Sequence, residues 1–560
     1  MLNLFTYSLP DTIHTEFSAE LDRWTNASMI ARLWSKDATV WTGSDEAKWL
    51  GWLDIVDEEL ADLQKYRDLR ADLETAGFTD VLLMGMGGSS LGPEVLAMTF
   101  GKANFHILDS TVPAQVRAVE DKLDLTRTLF IVASKSGSTL EPNCFKQYFF
   151  ERVVETVGRE NAGRQFIAIT DPGSKMEQVA KQDGFRHIFY GKPQIGGRFS
   201  ALSAFGMTAA ASMGIDVETF LTNAAEMVEA CKTVDTASNS GAMLGLILGT
   251  CHAHGRDKLT IFTSPEIHDL GAWLEQLVAE STGKNGVAII PVDREGERTV
   301  EEYSDDRVFA FLSLADDAEM DEKYAAIAAG HPAVRIELDS IDNLGQEFFR
   351  WEFATAVTGA VMKLNPFDQP DVESAKIEAR KITDEYELTG KLPDEAPFFE
   401  SEDFSLFTSR EYAAELLATA EEETAAAIID AHLSRIGTGD YFGLLGYIEM
   451  NAENEELMQT MRSSVLERFE CSTCLGFGPR FLHSTGQAYK GGANNGVFLQ
   501  ITSDDAADVP VPGQKYTFSV VKAAQSRGDF QVLVDRGRRA LRVHLASDVA
   551  SGLRELAVII

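Results

Sequence analysis

The sequence predicts an α/β protein: two doubly wound parallel-sheet domains and a smaller C-terminal α/β domain. Three observations carry this. From Thr79 onward, short β-rich apolar runs alternate with helix-like segments, the pattern of crossover connections in a parallel sheet. The alternation starts afresh near residue 240 with a second set of strands and helices. A third, shorter set follows a proline- and acid-rich stretch at 391–410.

Taken in order, residues 1–75 read as a polar, Trp-containing helical extension, with heptad-like spacing over Leu50–Leu69. Residues 76–235 form the first α/β domain. Its strands are Val81–Met84, Phe105–Leu108, Thr128–Ala133 and Gln165–Thr170, and a helix over Glu94–Phe100 stops at Gly101. Residues 236–390 form the second. It has strands at Lys258–Thr263, Gly286–Asp293, Val308–Leu314 and Ala333–Leu338, and helices near Leu270–Ser281, Asp321–Ala329 and Gly345–Leu364. The stretch 391–410 reads as a linker. Residues 411–560 form the third unit, with strands near Tyr441–Ile448, Val497–Ile501, Thr517–Val521 and Leu541–Leu545. Its helices fall near Glu411–His432, Glu455–Phe469 and Asp529–Arg538.

Composition narrows the function. A net charge of −37 argues against nucleic acid or an anionic membrane as partner, and no apolar run is long enough to span a bilayer. An anionic ligand must therefore be held by local donors: helix N-termini, hydroxyls and a few placed cations. Five cysteines are too few for a disulfide framework, which points to a reducing cytoplasm. Cys471 and Cys474 form a lone CxxC without a second pair or a histidine at zinc-finger spacing, so two incidental thiols are expected and no metal.

The chemistry centres on Thr128–Pro142. A strand ends in Ser134, Lys135, Ser136, Gly137, Ser138 and Thr139, and a helix follows with Pro142 in its first turn. Hydroxyls, a cation and free backbone N–H groups at a helix start suit a phosphate dianion. An ordinary Ser/Gly turn with a good N-cap accounts for this loop equally well on its own. GMGGSSLG, from Gly85, offers two glycines of a dinucleotide fingerprint, with Asp109 at a ribose-like distance, but Ser90 stands where the third glycine belongs. Arg198 follows paired glycines and heads an apolar, small-residue helix. Glu280 sits at the C-terminal end of an amphipathic helix, where its charge opposes the helix dipole; that suits a general base, although most glutamates at helix ends are simply solvated. NPFDQPDVESAK, Asn365 to Lys376, closes the second set, and a glycine-rich loop in the third unit carries His483, Gln487 and Lys490.

Together GMGGSSLGP, SKSGST, GGRFS, ESTGK and NPFDQPDVESAK resemble the phosphoglucose isomerase family, in family order, over roughly residues 35–390. Its members pair two sugar-isomerase (SIS) domains, each a three-layer αβα sandwich. The start and the third domain look most like the isomerase half of bacterial transaldolase–isomerase fusions, which implies a transaldolase partner or fusion, although no transaldolase sequence is present.

The resemblance implies isomerisation of glucose 6-phosphate and fructose 6-phosphate through a cis-enediol, without cofactor, in a cytoplasmic homodimer. It also implies roles. Gly88 and Ser89 contact the sugar, and Ser134, Lys135, Ser136 and Thr139 hold its phosphate. Gly197 and Arg198 face the reacting carbons, Glu280 is the base, and Gln276, Gln369 and Lys376 complete the pocket, Lys376 as a ring-opening acid. His268 also matches a family position and reads as structural. The family's ring-opening histidine, given by the partner subunit some twenty to thirty residues after the base, has no counterpart here. His483 and His331 are the candidates. A sugar-phosphate sensor would share the serine loop without needing Glu280, Arg198 and Lys376 together, and mannose 6-phosphate is a possible second substrate.

Overall fold

The computed structural model describes residues 1–546 and 548–560. The chain opens with β1 (Leu4–Ser8), where a helical start was expected; the strand leaves to pair antiparallel at the edge of the second sheet. The first sheet is β2 (Asp80–Met84), β3 (Phe105–Leu108), β4 (Thr128–Ala133), β5 (Phe166–Thr170) and β6 (His187–Tyr190), in order β3-β2-β4-β5-β6 and parallel throughout. The second holds β7 (Lys258–Thr263), β8 (Ile290–Asp293), β9 (Arg307–Leu314) and β10 (Ala333–Leu338), in order β1-β10-β9-β7-β8. In both, strands that are buried along nearly their whole length read as continuous apolar runs, as strands covered by helices on both faces must.

The third sheet is β11 (Phe399–Glu400), β12 (Phe404–Phe407), β13 (Tyr441–Tyr447), β14 (Ser472–Phe477), β15 (Gly496–Ser503) and β16 (Arg539–Leu545). Their order is β11-β12-β16-β15-β13-β14. The stretch 391–410, expected as a linker, thus supplies an antiparallel edge to this sheet. The Thr517–Val521 run, expected as a strand, begins the helix Phe518–Asp535. Thr517 caps it by accepting from the Val520 N–H, and Phe518 stacks on Phe145 at 6.0 Å, so capping and packing override β-branched propensity. The heptad-like stretch is broken: helices Ile55–Ala61 and Gln64–Ala76 are separate, as are Arg410–Thr419 and Ala425–Leu433.

All five cysteines are buried free thiols, and burial pushes Cys471 and Cys474 up to about 12. Among the described residues, no helix is long and apolar enough to cross a membrane.

The N-terminal aromatics do positional work. Trp52 packs on Phe199 (5.4 Å between ring centroids), Phe199 on Phe367 (5.3 Å) and Trp41 on Phe367 (5.2 Å). Trp41 also donates to the Ala356 carbonyl at 2.7 Å. Edge-to-face and tilted aromatic pairs of this kind fix geometry as well as bury area. Here they lock Arg198 and the Asp368–Gln369 segment, the chain neighbours of Phe199 and Phe367.

Candidate active site

The Ser/Lys loop is shaped by Gly137, whose φ of +66° and lack of a side chain let Met176 N approach to within 2.2 Å of where a Cβ would sit. The helix Leu140–Val157 then starts at Thr139, whose hydroxyl makes no capping bond, so first-turn N–H groups face the loop. Ser136 and Ser138 hydroxyls bond each other at 2.7 Å. Ser134 is buried and its Oγ finds no hydrogen-bond partner in the protein. Lys135 donates to Asp171 Oδ1 and to the Lys192 carbonyl, both at 2.9 Å. Burial pulls its ammonium below the usual lysine value, with Asp171 opposing.

Across the cleft, Arg198 is buried and held by four hydrogen bonds. Nε donates to Ser281 Oγ (2.7 Å), Nη1 to Gln369 Oε1 (3.0 Å), and Nη2 to the carbonyls of Pro366 (2.6 Å) and Asp368 (3.0 Å). Nη1 also lies 3.4 Å from Glu280 Oε1. Burial lowers the guanidinium's pKa, and Glu280 and Asp368 work against that. The helix Leu270–Thr282 brings Gln276 and Glu280 to the cleft one turn apart. Gln276 Nε2 donates to Glu280 Oε2 at 3.1 Å and to the His483 carbonyl at 2.7 Å, and Gln276 Oε1 is buried without a partner. Two buried, unsatisfied polar atoms in one cleft are what a site for a polar ligand presents.

The third wall comes from the C-terminal unit. His483 Nε2 meets Glu141 Oε1 at 2.9 Å; Gln525 Nε2 donates to the same oxygen at 2.6 Å and Thr111 Oγ1 to Gln525 Oε1 at 2.6 Å. Burial alone would raise the Glu141 carboxyl, but the facing imidazole, its hydrogen bond and Lys376 hold it below the usual range. Gln487 accepts from the N–H groups of Asp371 and Val372 and donates to the Gly283 carbonyl at 2.9 Å. It thereby caps the helix Pro370–Thr389 and ties it to the end of the Glu280 helix. Lys490 pairs with buried Asp529 and is structural.

The resulting cleft, about 260 Å³, is lined by Gly88, Ser89, Ser134, Lys135, Ser136, Thr139, Gly197, Arg198, Gln276, Glu280, Gln369, Lys376 and His483. Every residue expected at the site is therefore brought together except His331. That imidazole packs edge-on against Phe309 at 5.3 Å, with Nε2 3.2 Å from the Val300 carbonyl, away from the cleft. His268, expected as structural, bonds the Pro265 carbonyl. Asp109 is not free for a ribose: it is 2.9 Å from Arg480 Nε and accepts from Ser90 at 3.1 Å. Residues whose part the sequence reading missed are Glu141, Gln525 and Lys284. Lys284, inside ESTGK, donates to Asn365 O (2.8 Å) and Asp368 Oδ1 (2.7 Å) and so pins the segment that holds Arg198.

A family model described as phosphoglucose isomerase matches residues 73–298, the span that holds both loops, Arg198, Gln276 and Glu280. A probable glucose-6-phosphate isomerase of Methanococcus maripaludis is 27% identical over 387 residues, covering 61% of this chain and 85% of that protein. A glucose-6-phosphate isomerase of Gloeothece citriformis is 30% identical over 351 residues, covering 54% of this chain and 66% of that protein. Among solved structures, a hypothetical protein of Thermus thermophilus superposes with a TM-score of 0.59 at 25% identity, covering 68% of this chain and 99% of that one.

Proposed function

The chain belongs to the phosphoglucose isomerase family, and on that premise we infer that it interconverts glucose 6-phosphate and fructose 6-phosphate. The observation that carries the reading is the convergence on one cleft of a hydroxyl-rich helix start, a buried and firmly held arginine, a buried glutamate and a carboxylate-backed histidine.

The phosphate sits against Ser134, Ser136, Thr139 and the first-turn N–H groups of the Leu140 helix. Its binding energy positions the sugar carbons. Lys135 contributes only part of a charge, because Asp171 already faces it. His483, oriented by Glu141, passes the proton released from the C1 hydroxyl to the ring oxygen as the C1–O5 bond breaks, and Lys376, lining the same cleft, steadies the oxygens involved. Glu280 then takes the C2 proton, giving a cis-enediolate; the hydroxyl proton on O2 moves to O1, and Glu280 returns its proton to C1, leaving the carbonyl at C2. Arg198, whose other donors are fixed, stabilises the negative charge without reorganising. Gly88, Ser89, Gly197, Gln276 and Gln369 complete the walls.

His483 comes from the same chain, so the cleft has an imidazole without a second subunit; the homodimer of the resemblance is a separate part of the proposal, tested by mass in solution. A transaldolase partner is likewise tested by co-purification. For the reaction, a coupled assay follows glucose 6-phosphate formed from fructose 6-phosphate. Wild type turns over, and Glu280→Gln binds fructose 6-phosphate but loses about 10⁴-fold in kcat. Absent wild-type turnover, or a variant keeping most of its kcat, overturns the reading.

A further inference from the structure

Behind His483, which lines the cleft, a chain of buried polar side chains runs between the C-terminal unit and the first domain. Its members are Thr111, in the loop after β3, Gln525, on the helix Phe518–Asp535, and Glu141, in the first turn of the helix Leu140–Val157. Granting the isomerase reading above, on which this rests, we propose that Gln525, anchored by Thr111, is a positioning residue for the reaction. It holds the Glu141 carboxylate in the rotation that fixes which ring nitrogen of His483 carries the proton.

The directions of the hydrogen bonds follow from chemistry. Glu141, held below the usual carboxylate range, is ionised at neutral pH and can only accept. The Gln525 amide must therefore turn its NH2 to Glu141, which sets its Oε1 toward Thr111, whose hydroxyl donates. The distances agree: Thr111 Oγ1 lies 2.6 Å from Gln525 Oε1, and Gln525 Nε2 lies 2.6 Å from Glu141 Oε1. The reversed amide would set a carbonyl oxygen against the carboxylate. Thr111 thus selects the orientation of the amide, and the amide holds Oε1.

That same Oε1 meets His483 Nε2 at 2.9 Å. A carboxylate facing Nε2 keeps the ring proton there and leaves Nδ1 as the nitrogen able to accept one. A carboxylate without its second donor is free to rotate, and the tautomer loosens with it. Gln525 is only 3% exposed and Thr111 not at all, so losing either donor leaves a buried acceptor short rather than solvated.

The register of the two helices is set independently of these bonds. Phe518, two turns before Gln525, stacks on Phe145 at 6.0 Å and meets Tyr148 edge-on at 5.9 Å, and Phe145 lies one turn after Glu141. The donor can therefore be removed while the backbone that carries it stays in place.

The test uses Gln525→Met, which keeps the length of the side chain and loses the donor, and Thr111→Val, which keeps the shape and loses the hydroxyl. In the coupled assay Gln525→Met should lower kcat about tenfold with KM little changed, and Thr111→Val about threefold. Thr111 acts only through Gln525, and Gln525 only through His483. The Gln525→Met/Thr111→Val double variant should therefore be no slower than Gln525→Met, and Gln525→Met should cost nothing further in a His483→Asn background. A mere packing role would make these losses multiply. A second readout needs no turnover. In the full chain carrying isotopically labelled histidine, the buried Nε2–H of His483 should give a slowly exchanging downfield proton resonance, assigned by its loss in His483→Asn. It should broaden by exchange in Gln525→Met and in Thr111→Val. Absent wild-type turnover defeats the functional reading by itself. An unchanged resonance in both variants, losses that multiply, or a Gln525→Met variant keeping more than about half of kcat overturns this proposal.

Discussion

Gly88→Ala is a small change with a large expected consequence. Gly88 carries no positive φ, so alanine meets no backbone strain; the effect is purely steric. A Cβ built there falls 1.9 Å from the Gly197 carbonyl oxygen, 2.3 Å from Gly197 C and 2.9 Å from Arg198 N. Such contacts are not made below 3.0 Å, so the two turns must part by about 1.1 Å. The atoms that give way are backbone atoms of the Arg198 turn. Arg198 in turn is held by Ser281, Gln369 and two carbonyls, and sits 3.4 Å from Glu280. Displacing a catalytic group by about 1 Å costs about 10²-fold in rate, which is about 2.7 kcal/mol of barrier. Overpacking should cost about 1–3 kcal/mol of stability besides. The coupled assay should therefore show kcat down by about 10² with KM little changed, because the phosphate loop is on the other wall. Gly92→Ala is the control: its Cβ would meet Ala201 at an ordinary 3.4 Å. If Gly88→Ala keeps more than about a third of kcat while remaining folded, the coupling of the two turns is wrong.

Other outcomes follow from single contacts. Glu141→Gln should lower kcat about 10²-fold with little change in KM; His483→Asn should do the same, and the double variant should lose little more, since the pair acts as one unit. Lys135→Ala should raise KM for fructose 6-phosphate only severalfold, because Asp171 and Lys192 already share the ammonium; a loss of all binding would contradict that geometry. Burial, then the charge of Arg198, lowers Lys284 to about 8, and Asp368 opposes. Its ammonium should be lost as pH rises through about 8, releasing the Asp368 segment. A pH–rate profile should then show an alkaline limb near pH 8 that Lys284→Arg moves upward. The unfolded lysine keeps its proton to about 10.5, so folding releases a proton between these values and this group's share of stability rises with pH across that window.

Much of the site was legible because its parts are contiguous in sequence. SKSGST sits at the end of β4 and begins the next helix, and Gln276 and Glu280 share a helix face at i, i+4, so local pattern and spatial role coincide. The partners of those residues were not legible. Glu141 lies within Thr128–Pro142, but nothing in that stretch marks it; its contact appears when His483, 342 positions away, is folded against it. Lys284 was visible inside ESTGK, but its value lies in carbonyls 81 and 84 residues downstream. The strand misread at 517–521 failed for a similar reason: Phe518 and Val521 are apolar because the helix they begin buries them in the core beneath β4, a fact of tertiary packing.

The long-range contacts also explain the third domain, which no motif interpreted. Residues 480–492 wedge between the end of the Glu280 helix and the start of Pro370–Thr389. Gly283 would place a Cβ 2.3 Å from Ala488 Cα, and Gln487 caps the second helix while bonding the first. Gly87 also packs closely on the other side, its Cβ position lying 2.8 Å from the His483 carbonyl oxygen. The domain therefore does more than cover the cleft. It fixes the spacing between the Glu280 helix, the helix that carries Lys376 and the first glycine turn, and it delivers His483 into that gap. In a chain of net charge −37 the donors that face this cleft are local and pre-oriented: a helix start, the buried Ser134 hydroxyl and one enclosed guanidinium. Removing the third domain should accordingly leave the phosphate loop and lose the geometry around it, so its loss would be read in kcat before it is read in phosphate affinity.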